Sequence, residues 1–285
     1  MALEYLSELA LNSFISLALS EDIGDGDHTT NSCISSADRS TAKLLVKEDG
    51  ILAGVNLAER IILKLDPSAE FDLKIKDGQP VKTGDIAFII TANTRAILSG
   101  ERLILNCMQR MSGIATKTKE YVNLIKHTNT KLLDTRKTTP NFRILEKWAV
   151  IIGGGKNHRY NLADMLMIKD NHIDYAGGIT KAVTNAQSYL AEKKLDRKIE
   201  VEARSFEEVK EIVKCGGVFR ILLDNMTPSQ IKEALLLIPE GIETEASGNI
   251  TDTTISKYSE TGVDFISVGA LTHSIKSLDL SLKAI

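Results

Sequence analysis

Apolar side chains open the chain at spacings of three and four: Leu3, Leu6, Ala10, Phe14 and Leu17. That period puts them on one face, so residues 3–19 are expected to form an amphipathic helix with a single stripe to bury. From Thr41 to about Ala92 the pattern shortens to runs such as Ala42–Val46 and Ile86–Ile90, separated by Asp49-Gly50, Asp77-Gly78 and Thr83-Gly84. Short apolar runs bounded by turn dipeptides read as strands, and this stretch as a small sheet-rich domain. Leu103, Cys107, Met111, Ile114, Thr118, Tyr121 and Ile125 then keep helical spacing across Ser112-Gly113. A mid-helix glycine costs about 1 kcal/mol against alanine, so a close backbone approach is the expected compensation. This long helix is expected to connect two domains.

Beyond residue 130 the chain becomes rhythmic. Six short apolar runs each end in a polar or small residue: Leu132–Asp134, Leu166–Lys169, Ile199–Glu202, Ile221–Asp224, Ile242–Glu245 and Phe265–Gly269. From Glu200 to Asp224, Glu245 and Gly269 the spacings are 24, 21 and 24 residues, room for one strand and one helix per repeat. The stretches 205–215, 227–238 and 251–261 read as those helices, with starts at Ser205, Thr227 and Thr251 and with Gly216, Gly241 and Gly262 past their ends. Repeated βα units take right-handed crossovers and build a parallel sheet covered by helices. The fold class is therefore α/β, with an α/β barrel, closed or incomplete, as the expected architecture and a doubly wound open sheet as the alternative. Gly153-Gly154-Gly155-Lys156-Asn157-His158 is neither a dinucleotide fingerprint, lacking the third glycine, nor a phosphate-binding Walker loop, with Asn157 where Ser or Thr must follow the lysine.

Composition narrows the function classes. The chain has 285 residues, 43% hydrophobic and 26% charged, which suits a folded globular protein of about two domains. With 35 basic and 38 acidic residues the net charge is −3, so no global field favours nucleic acid. Charge is uneven, however: residues 131–172 carry eight Lys or Arg and four acids. Cys33, Cys107 and Cys215 are scattered and odd in number, which predicts neither a disulfide framework nor a zinc knuckle. No signal-like leader and no apolar run near membrane length is seen, so a cytoplasmic protein is expected.

In a βα barrel the C-terminal strand ends share one mouth, so Asp134 to Lys137, Lys169, Glu200, Asp224, Glu245 to Gly248 and Gly269 to His273 are expected to converge there. Arg136, Arg159 and the more distant Arg102 can each grip a carboxylate or phosphate through paired N–H···O bonds, which points to a multiply anionic ligand. Lys169 ends an apolar strand, where either a Schiff-base lysine or an ion-pairing one is open. Glu200 and Glu202 lie two apart on a strand and so share a face. Carboxylates among so many cations suit ribose hydroxyls or a magnesium-ligated phosphate, and Ser247-Gly248 with Gly269 suit a phosphate held by backbone N–H groups. His127 and Trp148 read as packing residues.

The strings EDIGDGD (21–27), NCMQRMSGIAT (106–116), DTRKTTP (134–140), GGGKNHR (153–159), LMIKDNH (166–172), LLDNM (222–226) and VDFISVGALTHS (263–274) resemble the quinolinate phosphoribosyltransferases, the carboxylating nicotinate-nucleotide pyrophosphorylases. The resemblance spans nearly the whole chain. It implies an N-terminal α/β sandwich domain (1–115, with 275–285 returning to it), an incomplete α/β barrel (116–274), and a homodimer that shares its active sites. It also implies transfer of phosphoribose from phosphoribosyl pyrophosphate to quinolinate with Mg²⁺ and no tightly bound organic cofactor, releasing pyrophosphate and CO₂. By motif, Arg102 would reach quinolinate from the neighbouring subunit, Arg136, His158, Arg159 and Lys169 would hold its two carboxylates, and Thr135 would also bind substrate. Lys137 and Lys47 would face pyrophosphate. Glu200 and Asp224 would serve the ribose and the metal, and Ser247, Gly248, Asn249, Gly269 and His273 the 5′-phosphate. The resemblance places Lys137, Lys169, Glu200 and Asp224 nearest the chemistry. Asn141 and Asn249 stand where the family usually has glycine, and asparagine tolerates left-handed backbone well enough to keep both turns.

Overall fold

In the computed structural model, which describes residues 4–285, the first long helix is α1 (Glu8–Ile23). The expected start at Leu3 lies outside the described residues. α1 buries Leu11, Ile15 and Leu19, whereas Leu17 of the expected stripe is 73% exposed. Apolar residues occupy most of this helix's circumference, so two stripes fit the same period and packing chose between them. There follow α2 (His28–Cys33), β1 (Arg39–Val46), β2 (Gly50–Ile51), α3 (Val55–Leu65), β3 (Glu70–Leu73), β4 (Pro80–Val81), β5 (Ile86–Asn93) and α4 (Thr94–Ile125). Past α4 come β6 (Lys131–Leu133), α5 (Arg143–Ile152), β7 (Leu166–Ile168), α6 (Asp170–Ala176), α7 (Ile179–Lys193), β8 (Ile199–Ala203), α8 (Phe206–Cys215), β9 (Arg220–Asp224), α9 (Pro228–Leu235), β10 (Glu243–Ser247), α10 (Ile255–Ser259), β11 (Phe265–Ser267), α11 (Ala270–His273) and β12 (Leu280–Ala284). None of the described helices is long and apolar enough to cross a membrane.

The chain divides into two compact units. The first gathers the residues up to 119 with 138–154 and 271–285; the second holds 120–137 and 155–270. The division runs through α4, as does the expected boundary at 115/116. In the first unit an antiparallel sheet runs in the order β12-β1-β5-β3, with Leu44 opposite both Leu282 and Phe88. Phe88, Leu44 and Ile90 are fully buried in it, together with Ile61 and Ile62 of α3. Gly113 of α4 lies where a Cβ would come within 2.3 Å of the Lys276 carbonyl oxygen, which is the close approach that offsets a glycine in mid-helix.

The second unit is a parallel sheet in the order β6-β11-β10-β9-β8-β7. β6 and β7 are its edges and do not pair with each other, so the α/β barrel is open. Ser205 caps α8 by accepting the Glu208 N–H, and Thr227 and Gln230 form a reciprocal cap on α9. The third of these helices, α10, starts at Ile255 and not at Thr251, whose N–H is instead taken by Thr254 Oγ1 in a preceding turn. Alternation along the strands sends Val201, Ile221, Leu223, Ala246 and Ile266 to one face, all 0% exposed, and a mostly charged set to the other.

Candidate active site

Strand register decides which charged residues meet. One row across the sheet reads Met167, Glu200, Arg220, Glu243; the next reads Glu202, Leu222, Glu245; above it Asp224 lies opposite Ser247. Met167, Leu222, Glu245, Ser247 and Ser267 form the floor of a cavity of about 320 Å³. Its walls are Thr135, Arg136 and Lys137 following β6, His158 and Arg159 following the triple glycine, and Lys169 at the end of β7. The sheet thus supplies carboxylates and small hydroxyls from below, and the loops supply cations from above.

The cations are held in place by buried acceptors. Asp134, 0% exposed, accepts the His158 N–H at 2.8 Å and the Asn157 side-chain N–H at 2.7 Å, which ties the 157–159 segment to the end of β6. It was expected at the mouth but is a brace beneath it. Arg159 donates from Nη1 to the Met165 carbonyl at 3.0 Å. Burial and the charge of Arg136 together push the Arg159 guanidinium down from its ordinary value, a repulsion that an anionic ligand between them would relieve. Lys169 Nζ sits 3.3 Å from Glu202 Oε2, so of the two roles open to this lysine the geometry supplies the ion pair.

Beneath the cavity, His158 Nε2 lies 3.0 Å from Glu200 Oε2 and 3.4 Å from Glu245 Oε2. Burial opposes a charge on the imidazole, but the Glu200 and Glu245 carboxylates outweigh it and lift the group to about 9. The Arg159 N–H, however, points at His158 Nδ1 from 2.7 Å, and a second ring proton there would set two donors face to face. Nδ1 thus accepts the Arg159 N–H, the proton facing the carboxylates sits on Nε2, and His158 with Glu200 is neutral as a pair. The same proton argues against a metal among His158, Glu200 and Glu245, although their ligand atoms lie within 4.8 Å of one another, because Nε2 offers no lone pair. Burial and the neighbouring Glu245 charge push Glu200 up. Burial would also raise Glu245, but the His158 N–H, the Ser267 hydroxyl and Arg220 hold it below the usual carboxylate range. Arg220, 8% exposed, donates from Nη1 to Glu245 Oε2 at 3.0 Å and grips Glu243 Oε2 through Nε at 3.1 Å and Nη2 at 2.5 Å.

At the ends of β9 and β10 the backbone forms a tight pair of turns. Gly248 has φ +100°, and a Cβ there would meet Asn225 Oδ1 at 2.3 Å, so only glycine fits. Asn225 and Asn249 flank it at φ 54° and 50°, and Asn141 has φ 60°: each asparagine expected to keep a glycine-like turn is left-handed. Asp224 is half-buried here and accepts the Asn225 side-chain N–H at 2.6 Å. As a partly hydrated oxygen donor it fits a hard cation such as magnesium. Glu200, also expected in the metal shell, does not fit: it is 0% exposed and engaged with His158, so no hydrated ion can reach it.

Of the residues singled out in the sequence, Thr135, Arg136, Lys137, His158, Arg159, Lys169 and Ser247 line the cavity. Asp224, Gly248, Asn249 and Gly269 lie at the ends of the same strands. Arg102, Lys47 and His273 are exposed residues of the first unit and are not part of the lining. Arg220 and Glu243 were not foreseen, and Glu245 was foreseen only as one more acid. Their signal was available in the alternation Arg220, Leu222, Asp224 and Glu243, Glu245, Ser247, but alternation gives a face and not a partner.

Comparison with known proteins follows the same outline. The family model "Quinolinate phosphoribosyl transferase, C-terminal domain" matches residues 114–283, and its N-terminal counterpart matches 27–112. The chain is 48% identical over 288 residues to quinolinate phosphoribosyltransferase [decarboxylating] 1b of Nicotiana tabacum, covering 96% of this chain and 82% of that protein. It is 40% identical over 277 residues to the probable nicotinate-nucleotide pyrophosphorylase [carboxylating] of Bacillus subtilis, covering 97% and 94%. Its structure superimposes on that of NadC from Streptococcus pyogenes with a TM-score of 0.91 at 39% identity, covering 98% and 99% of the two chains.

Proposed function

The chain belongs to the quinolinate phosphoribosyl transferase family, and on that footing we propose the reaction for which its cavity is suited. The quinolinate ring nitrogen attacks C1′ of phosphoribosyl pyrophosphate, pyrophosphate leaves, and the 2-carboxylate departs as CO₂ to yield nicotinate mononucleotide. The observation that carries this reading is the convergence of Arg136, Lys137, His158, Arg159 and Lys169 on one 320 Å³ cavity. Quinolinate bears two carboxylates on adjacent ring carbons. Arg136 and Arg159 can each take one through paired N–H···O bonds, with Lys169 and Thr135 beside them, and the mutual repulsion of the two guanidiniums is discharged on binding. Lys137 faces the pyrophosphate. Ser247, Gly248, Asn249 and Gly269 hold the 5′-phosphate, and Asp224 takes the ribose hydroxyls. Glu200 braces His158 from below.

When the N1–C1′ bond forms, the C1′–O bond breaks and its electron pair leaves with pyrophosphate. Asp224 is the residue that would hold magnesium carried by the donor, which would supply positive charge against the leaving pyrophosphate. The now quaternary nitrogen accepts electron density as the C2–CO₂ bond breaks, and the electron pair left on C2 takes a proton. The protein's share is positioning and a charged cavity shielded from water. Arg102, exposed on α4, would serve the cavity of a second copy in a homodimeric working form, a reading its solvent exposure supports. Three free cysteines, Cys33, Cys107 and Cys215, support a reducing, cytoplasmic setting.

The test is incubation with phosphoribosyl pyrophosphate, Mg²⁺ and quinolinate labelled in the 2-carboxylate. Stoichiometric labelled CO₂ and nicotinate mononucleotide are expected, with nicotinate turned over at least a hundredfold more slowly. Equal turnover of nicotinate, or no release of CO₂, overturns the assignment.

A further inference from the structure

An ionised carboxylate is an odd component for the floor of a cavity that receives a dianion. Glu245 is 0% exposed and lines that floor. Its Oε2 takes the Arg220 N–H at 3.0 Å, while Oε1 accepts no hydrogen bond. Arg220 does not cancel it, because the same guanidinium is held by Glu243 through two further N–H bonds. His158 and Glu200 cancel as a pair, the one positive charge of Arg220 is divided between two carboxylates, and one negative charge remains under the cavity. For quinolinate as it arrives this charge is unfavourable. For the ring once N1 has been alkylated, and for the ribose carbon as pyrophosphate leaves, it is favourable.

We propose that Glu245 is a further catalytic residue, whose buried charge opposes the positive charge developing on the ribose carbon and the pyridine nitrogen, and that Arg220 is the positioning residue that aims it. The inference rests on the reaction assigned above. It differs from the cation wall in which step it serves: the wall binds the substrate, whereas Glu245 acts only after charge has changed sign at the ring. Interactions stronger in the transition state than in the ground state raise kcat without lowering KM. Burial makes the interaction effective, since a fixed charge in a site without water is screened far less than one in solvent.

The experiment uses the full-length protein. Glu245→Gln keeps the shape and removes the charge, so it is expected to lower kcat about a hundredfold while the Kd and KM for quinolinate stay level or fall. A second readout needs no turnover: by calorimetry, wild type prefers N-methylnicotinate, whose nitrogen is quaternary, over nicotinate, and Glu245→Gln loses that preference by tenfold or more. Arg220→Lys retains part of it and Arg220→Met less. An unchanged kcat, a kcat loss matched by an equal rise in KM, or an unaltered preference for the quaternary ring overturns the proposal. Wild type that fails to release CO₂ from quinolinate would overturn the functional assignment instead, a result distinct from a wild type that turns over and a Glu245→Gln that does so equally well.

Discussion

Arg220→Met is the most informative perturbation of the buried charges, because its consequence has a sign that simple contact counting gets wrong. Arg220 is 8% exposed, so its pairs are little screened, and the guanidinium carbon also lies 4.3 Å from the centre of the Phe265 ring. Methionine refills most of the space occupied by the arginine stem but leaves the fully buried Glu245 with only the His158–Glu200 pair and the Ser267 hydroxyl beside it. Breaking a buried pair from one side costs about 3–5 kcal/mol, largely the cost of the charge left behind. That is a fifth or more of the roughly 5–15 kcal/mol by which a domain is stable. Adding Glu245→Gln removes that stranded charge, so the double variant should be more stable than Arg220→Met alone, by about 2 kcal/mol. Urea unfolding followed by far-ultraviolet circular dichroism on wild type, both single variants and the double variant closes the cycle. If the two losses simply add, or if Arg220→Met costs under about 1 kcal/mol, Glu245 is not held as an ion by Arg220.

Three other outcomes are expected. Gly248→Ala must place a Cβ at φ +100° against Asn225, whose own N–H is bonded to the Ser247 carbonyl at 2.9 Å, so KM for the phosphoribosyl donor should rise at least tenfold with quinolinate affinity unchanged; an equal KM would show that the turn does not hold the phosphate. Asp134→Asn exchanges one acceptor oxygen for a donor facing the His158 or Asn157 N–H groups, so quinolinate affinity should fall tenfold or more by calorimetry; unchanged affinity would mean that the 157–159 segment is fixed by other contacts. Asp66 is held down to about 2 by the Ser68 hydroxyl and the Asn93 and Ser68 N–H groups, with Arg39 adding to them, against burial that raises it. A carboxyl depressed in the folded state contributes stability above its ordinary value of 3.8 that disappears as pH falls through about 2. Asp66→Asn should accordingly lose stability at neutral pH and converge on wild type in acid, and a pH-independent gap in melting temperature would contradict this.

The strands of the second unit and the α8 and α9 caps could be anticipated from local pattern, because each is decided by residues within a few positions of one another, while the turns at Asn141 and Asn249 were marked by the family resemblance and the one at Asn225 was not marked at all. The same holds for the cation wall: Arg136 and Lys137, and His158 and Arg159, adjoin strand ends or glycines that mark them. Local pattern misassigned the buried stripe of α1, where two apolar faces satisfied one period, and placed the start of α10 too early at Thr251, whose hydroxyl and amide were taken by a turn.

The amino-acid order thus determined the periodicities, the turns and the chemical types gathered at the strand ends, since these depend on backbone preferences and side-chain alternation that act over short distances. Only the assembled sheet decided partnership. It is register that sets Glu200 beside Arg220 and Arg220 beside Glu243, and packing of a separate segment that brings His158 over Glu200 and Glu245. A buried charge takes its state from neighbours that are dozens of residues away along the chain. Which acid is braced, which is ionised and which is free to act is therefore a property of the fold.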